Sequence, residues 1–313
     1  MTGFELRPLG HYSLAASTRF LEGFAPSGVR PATDDRLRLA FPLEPSWQAV
    51  AISLWHDGPI VRGQYVGDHA QDAVRAHVAR LLSADIDGRG FAAVGRRDPV
   101  VAPLQRRYPG LRPVGFWSAY EAAAWAVLSQ RVRIVQAARM KEDLARRFGE
   151  VLRIDGAELA AFPAPKRLLE RSVLAHLPEI KSGRLRAIAQ AALDDRLETE
   201  RLRTAEPEAA ITELQHIPGI GPFSAELILI RGAMAPDVFP TAETRLHGAM
   251  RTAYELPESA GLEQLQRIAD RWRPFRSWVA LLFRTAREDD THEIGGRASD
   301  PGTRTALRRR GRA

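Results

Sequence analysis

Residues 214–251 read LQHIPGIGPFSAELILIRGAMAPDVFPTAETRLHGAMR, a stretch in which a Pro-Gly-Ile-Gly turn precedes a carboxylate, Glu243, by about 22 positions. The turn carries its own chemistry. Gly219 and Gly221 let the backbone come close to another surface. The amides of Gly219, Ile220, Gly221, Phe223 and Ser224 are read as free donors at the positive end of a helix. A phosphate oxygen fits such a nest. A Gly-x-Gly turn also serves simply to join two packed helices, and the turn alone leaves both readings open.

Two helices must hold this turn. Pro207 opens a segment with Ile211, Leu214 and Ile217 at helical spacing, and Pro222 suits the first position of a second helix that ends at Gly232. Around them the chain divides into three parts. Residues 1–105 mix strand-like runs at 36–41, 49–55 and 59–67 with one helix near 69–83, an α+β module. Residues 106–288 read as helical throughout, with no convincing strand alternation. Residues 289–313 are rich in Gly and charge, poor in apolar anchors, and read as a disordered basic tail.

Composition narrows the function classes. A net charge of +7 and a pI near 10.3 favour a polyanionic partner, although an arginine-rich composition alone is weak evidence. With 313 residues the chain can bury a sizeable core in two or three domains. It has no cysteine, which excludes disulfides, thiol nucleophiles and cysteine-ligated iron–sulfur clusters. The eight histidines show no zinc-type pairing. Asp85-Ile86-Asp87-Gly88 lacks the remaining ligands of a calcium loop and reads as a turn. No apolar run reaches the roughly 18 residues of a membrane span, and the first residues lack an export pattern. The expectation is a soluble cytoplasmic, nucleoid-associated monomer.

Three further blocks occur in one order with the hairpin: RRYPGLRP at 106–113, FWSAYEAAAWAVLSQRVRIVQAARMKEDLARRFGE at 116–150, and RIADRWRPFRSWVALLFRTA at 267–286. Together they resemble the helix-hairpin-helix DNA glycosylase superfamily, in particular its bacterial 3-methyladenine DNA glycosylase II (AlkA) branch, over nearly the whole chain. Trp272, Pro274, Arg276 and Ser277 stand where that pattern expects them. The resemblance implies an N-terminal mixed α/β domain followed by an all-helical helix-hairpin-helix core. It also implies a monofunctional enzyme that flips a damaged base, an alkylated purine, out of double-stranded DNA and excises it with water. No cofactor is required. An alkali cation, Na+ or K+, is implied at the hairpin on the carbonyls of Gln215, Ile217 and Ile220, where its charge would reinforce a phosphate contact.

The same resemblance assigns site residues. The family's catalytic aspartate matches Glu243, one methylene longer, whose task would be to stabilise positive charge on the sugar and to position water. Its bland alternative is a solvated glutamate at a helix start. Asp237 is the fallback carboxylate. His247 could bond the acid, or sit on a helix surface. Phe223 occupies the place of the nucleophilic lysine of bifunctional members and of a base-stacking aromatic in the AlkA branch. It cannot form a Schiff base, and its alternative is a core position. Gln130 and Arg131 match the element that fills the gap left by the flipped base, with Arg131 in place of an apolar wedge. Arg284 and Leu227 replace pocket aromatics, and Arg284 could pair with Glu243 or point to solvent. The alternative to an enzyme is a weak or inactive member that binds distorted or damaged DNA. A more distant alternative is a helical protein-interaction scaffold.

Overall fold

The computed structural model describes residues 2–32 and 34–291. The chain begins with Thr2–Leu6 (β1) and Leu14–Gly23 (α1). Leu37–Leu43 (β2), Gln48–Asp57 (β3) and Ile60–Val66 (β4) follow, and then Gln71–Leu81 (α2), Phe91–Arg97 (α3) and Val101–Arg107 (α4). The four strands form one antiparallel sheet in the order β1-β4-β3-β2, with Leu39 opposite Ile52 and Phe4 opposite Gly63. β2, β3, β4 and α2 are the three strand runs and the helix that alternation and helical spacing predict, while β1, α1, α3 and α4 are not among those predictions.

Strand alternation sorts the two faces of this sheet by size. Leu39, Phe41, Val50, Ile52 and Leu54 point to a core shared with Val74 and Val78 of α2. Ala40, Ala49 and Ala51 point the other way, against Ile154 and Ala161. The alanines leave room for a second, two-stranded sheet, Val151–Ile154 (β5) paired antiparallel with Ala157–Ala160 (β6). This corrects the expectation that 106–288 contains no strands. The signal was the Asp155-Gly156 pair, whose φ values of 49° and 74° suit a two-residue hairpin turn. Asp155 is further anchored by Ser53 at 2.5 Å and Arg36 at 3.3 Å.

The remainder is helical. Ala119–Leu128 (α5) is buried along its entire length, as its Ala-rich, largely apolar sequence requires, and its one charge, Glu121, is paired with Lys141 at 2.5 Å. Ile134–Phe148 (α6) packs beside it, and Pro165–Leu168 (α7), Arg171–Leu174 (α8), Glu179–Leu193 (α9) and Thr199–Thr204 (α10) continue the layer. The hairpin helices are Pro207–Gln215 (α11) and Pro222–Leu227 (α12), the latter running on as a wider π-type turn, Ile228–Gly232. Thr244–Ala253 (α13), Leu262–Ala269 (α14) and Arg276–Thr291 (α15) close the fold. Their core of Phe239, Leu246, Trp272 and Phe283 also takes in Val94 and Val101, so α3 and α4 pack with the C-terminal helices.

Helix α15 runs through Thr291, so residues 289–291 are helical where the disordered tail was expected to begin. Tyr108 donates to Asp289 at 2.8 Å and Arg107 pairs with Asp290 at 2.8 Å, which ties down the last turn. The remaining tail residues, 292–313, lie outside the described residues. Asp85 pairs with Arg203 and Asp87 with Arg89, as a surface turn would have it. Among the described residues no helix is long and apolar enough to cross a membrane.

Candidate active site and nucleic-acid interface

The hairpin is anchored from below. Ile217 and Ile220 are buried at 1% and 5% exposure, which turns the intervening backbone outward. The Ile220 N–H donates to the Ile217 carbonyl at 3.0 Å and is therefore not one of the free donors expected there. The N–H groups of Gly219, Gly221, Phe223 and Ser224 make no hydrogen bond to another described residue, as the first turn of a helix dictates. Gly219 has φ +93°, and a Cβ there would meet the Arg184 side chain at 2.6 Å. Gly221 has ordinary φ, and a Cβ there would meet open space. Of the three carbonyls proposed for an alkali cation, that of Ile217 already accepts one bond and keeps a second lone pair. The donor set of Gln215, Ile217 and Ile220 therefore still suits a hard monovalent cation.

Beside the hairpin lies the turn that follows α5. Gln130 donates to the Gly219 carbonyl at 2.7 Å and accepts from Arg184 at 2.5 Å, while Lys181 caps the Leu128 carbonyl at 2.7 Å. The next residue, Arg131, is exposed and holds φ +56°, a left-handed conformation that costs a non-glycine residue of order 1–3 kcal/mol. Gln130 thus locks the turn to the hairpin and presents Arg131 at its tip. If Arg131 fills the gap behind a flipped base, Arg131→Ala should reduce discrimination between lesion and undamaged duplex about tenfold, while overall affinity falls less. Fluorescence-anisotropy titration of both duplexes checks this. An equal loss on both would reduce Arg131 to a phosphate contact.

Glu243 is the N-cap of α13 and accepts from the Arg245 N–H at 3.3 Å. It is neither buried nor free in solvent, with 20% of its side chain exposed. The Nε of Arg284 lies 3.8 Å from its Oε2, and Arg284 itself is only 19% exposed. Burial pushes the Arg284 pKa down, and the Glu243 charge pulls it back up. Of the alternatives open for Arg284, the structure has it facing Glu243.

The segment leading to Glu243 is held at almost every residue. The Ser277 hydroxyl donates to the Ala235 carbonyl at 2.7 Å and accepts from the Val238 N–H at 3.1 Å. Asp237 is taken up by Arg276 at 3.0 Å and Arg273 at 3.2 Å, a structural ion pair that removes it as a fallback acid. Glu226, on α12 and 3% exposed, accepts from the Thr241 N–H at 2.8 Å and the Ala242 N–H at 2.9 Å. His247 fits neither expectation: it is buried, stacks on Phe239 and bonds the Pro240 carbonyl at 2.9 Å, so it supports the loop rather than the acid.

Phe223 is 48% exposed at the start of α12, so the core alternative for it is excluded. Leu227, one turn on, is half-buried against the helical core. Sequence reasoning missed Glu226, Arg184 and the buried Arg112, which donates to the carbonyls of Ser83 and Ile86 at 3.0 and 3.1 Å. For Glu226 the one available signal was a charge inside the otherwise apolar run AELILI.

No protein-family model matches the chain. It is 24% identical over 218 residues to a DNA-3-methyladenine glycosylase of Bacillus subtilis, covering 68% of this chain and 72% of that protein. It is 33% identical over 177 residues to DNA-3-methyladenine glycosylase 2 of Escherichia coli, covering 55% of this chain and 59% of that protein, which is less than two thirds of its length. In three dimensions it superposes on the 3-methyladenine DNA-glycosylase from Archaeoglobus fulgidus with a TM-score of 0.72 at 22% identity, over 94% of this chain and 99% of the other. A hairpin fastened by two isoleucines, a loop held at almost every residue before a helix-capping carboxylate, and these likenesses point the same way: the chain is similar in sequence to DNA-3-methyladenine glycosylases and shares the fold of a solved one.

Proposed function

We propose that this protein is a monofunctional DNA glycosylase that flips a damaged purine out of duplex DNA and releases it by hydrolysis. The observation that carries the reading is Glu243. Its carboxylate is partly sheltered and follows a braced loop, and the sequence resemblance matches it to the family's catalytic acid. The bond between C1′ of the sugar and the base nitrogen breaks, and its electron pair leaves with the base. Positive charge develops on the sugar, where an ionised carboxylate stabilises it. Water then bonds to C1′ and its proton goes to the departed base, which took the electron pair, leaving an abasic site and the free base. Phe223, in place of a lysine, offers no amine for a Schiff base and so no strand cleavage. Its exposed ring is available to stack on the extruded base. The unpaired N–H groups of the hairpin bind a backbone phosphate, and an alkali cation on the Gln215, Ile217 and Ile220 carbonyls would add positive charge beside it.

Arg284 bears on which lesion is taken. A guanidinium held 3.8 Å from the acid would repel a cationic alkylpurine brought to that acid and tolerate an uncharged one, so neutral alkylated purines such as an etheno adduct are the favoured class. Arg284→Trp should shift the ratio of 7-methylguanine to ethenoadenine release by roughly tenfold toward the cation. The experiment that tests the whole reading is single-turnover release from a panel of duplexes, each bearing one modified base. It should yield free base from at least one of them, with the strand left intact.

A second reading, a member that binds damaged DNA without cutting it, draws support from the same pair. Arg284 compensates part of the Glu243 charge. Tight, lesion-selective binding with no base released from any duplex would favour it.

A further inference from the structure

Glu226 is a carboxylate in the interior, 3% exposed, with no cationic side chain paired to it among the described residues. Such a group is costly to bury unless its oxygens are fully bonded. One oxygen accepts from both the Thr241 N–H and the Thr241 hydroxyl, and the other accepts from the Ala242 N–H at 2.9 Å. All three donors belong to the two residues immediately before Glu243, whose own backbone, φ −90° and ψ 83°, has not yet become helical. The direction in which the chain enters Glu243 is therefore set from α12, the helix that begins at the phosphate-facing hairpin.

We infer that Glu226 is a positioning residue that aims the Glu243 carboxylate at the sugar and couples its placement to the helix that grips the DNA backbone. The inference rests on the proposed role of Glu243. Helix α12 thus has two duties: its first turn faces the phosphate, and its fifth residue fixes the acid. A carboxylate suits the second duty because it accepts at both oxygens, as two consecutive backbone amides demand. Glutamine keeps the shape but turns one acceptor into a donor facing the Ala242 N–H, so the segment must shift. A displacement of about 1 Å at a reacting group can cost on the order of a hundredfold.

The test uses two duplexes, one with a pyrrolidine analogue of the abasic sugar, cationic next to the anomeric position, and one with a neutral tetrahydrofuran abasic sugar. The parent should prefer the cation. Glu226→Gln, with folding verified by thermal melting, should lose about tenfold of that preference while binding the neutral duplex as the parent does. Thr241→Val, which deletes only the hydroxyl bond, should lose less. A purely structural role would weaken both duplexes alike or lower the melting temperature alone. A Gln variant that keeps the parent's full preference overturns the positioning role and leaves Glu243 standing. A parent with no preference removes Glu243 as the stabiliser of sugar cation charge, and the role of Glu226 falls with it.

Discussion

Gly221→Asp is expected to weaken binding to duplex DNA by about ten- to a hundredfold at roughly 0.1 M salt, without unfolding the protein. The structure separates the two hairpin glycines. At Gly219, with φ +93° and the Arg184 side chain 2.6 Å from a would-be Cβ, any substitution strains the turn, and weaker binding there would mix folding with recognition. At Gly221 an added Cβ meets nothing, so the change acts chiefly through a negative charge at the proposed phosphate site. Gly221→Ala is the matched control and should bind nearly as the parent does. The salt series is the more specific reading: the slope of log affinity against log salt should fall by about 0.9 for each phosphate that the protein no longer neutralises. Titration at several ionic strengths checks both. An Asp variant that binds with parental affinity and slope would take the hairpin out of the interface.

Glu243→Gln is expected to reduce single-turnover base release by on the order of 10²–10³-fold or more while leaving affinity for the lesion duplex within about twofold. The charge matters chiefly when the sugar becomes cationic, so its removal is felt in the rate and not in ground-state binding. Gln also frees Arg284 from its partner at 3.8 Å, which puts an uncompensated guanidinium beside the developing cation and slows release further. Glu243→Asp restores the family's side-chain length. Arg284 and the capping bond to the Arg245 N–H are arranged around the longer arm, so the Asp form is expected to be slower than the parent. Rates measured with enzyme in excess, beside affinities from titration, resolve the two effects. Undiminished release by the Gln form would remove Glu243 from the chemistry.

Much of this was legible in the sequence because the relevant constraints are local. A turn between helices demands glycine and proline, and Pro207, Gly219, Pro222 and Gly232 mark the observed boundaries or sit at the turn itself. In β2 and β3, alternation of large residues with alanines encoded both faces of the sheet. The β5–β6 hairpin escaped because each strand has four residues and Val151 is 50% exposed, too little for an alternation to register. The support of the acid escaped for another reason. Glu226 looks like an ordinary helix residue, and His247 and Ser277, though noticed, gave no sign of their partners; only the fold brings all three to the one loop that leads into Glu243. Charge misled in part as well: Arg112 and Arg231 count toward the basic total, yet both are spent on backbone carbonyls and aromatic rings inside the protein.

The most direct test of the central claim is alkali-dependent strand cleavage of a single end-labelled duplex carrying one ethenoadenine, incubated with excess parent protein. Hydrolytic release leaves an intact strand with an abasic site, so a break at the lesion should form only after hot alkali, and the Glu243→Gln protein should give none. A break without alkali would mean lyase chemistry that Phe223 cannot perform. No break even after alkali, with the duplex fully bound, would contradict base release from this lesion, and if the same held across the panel of modified bases the protein would be a reader of damage and not an enzyme that removes it.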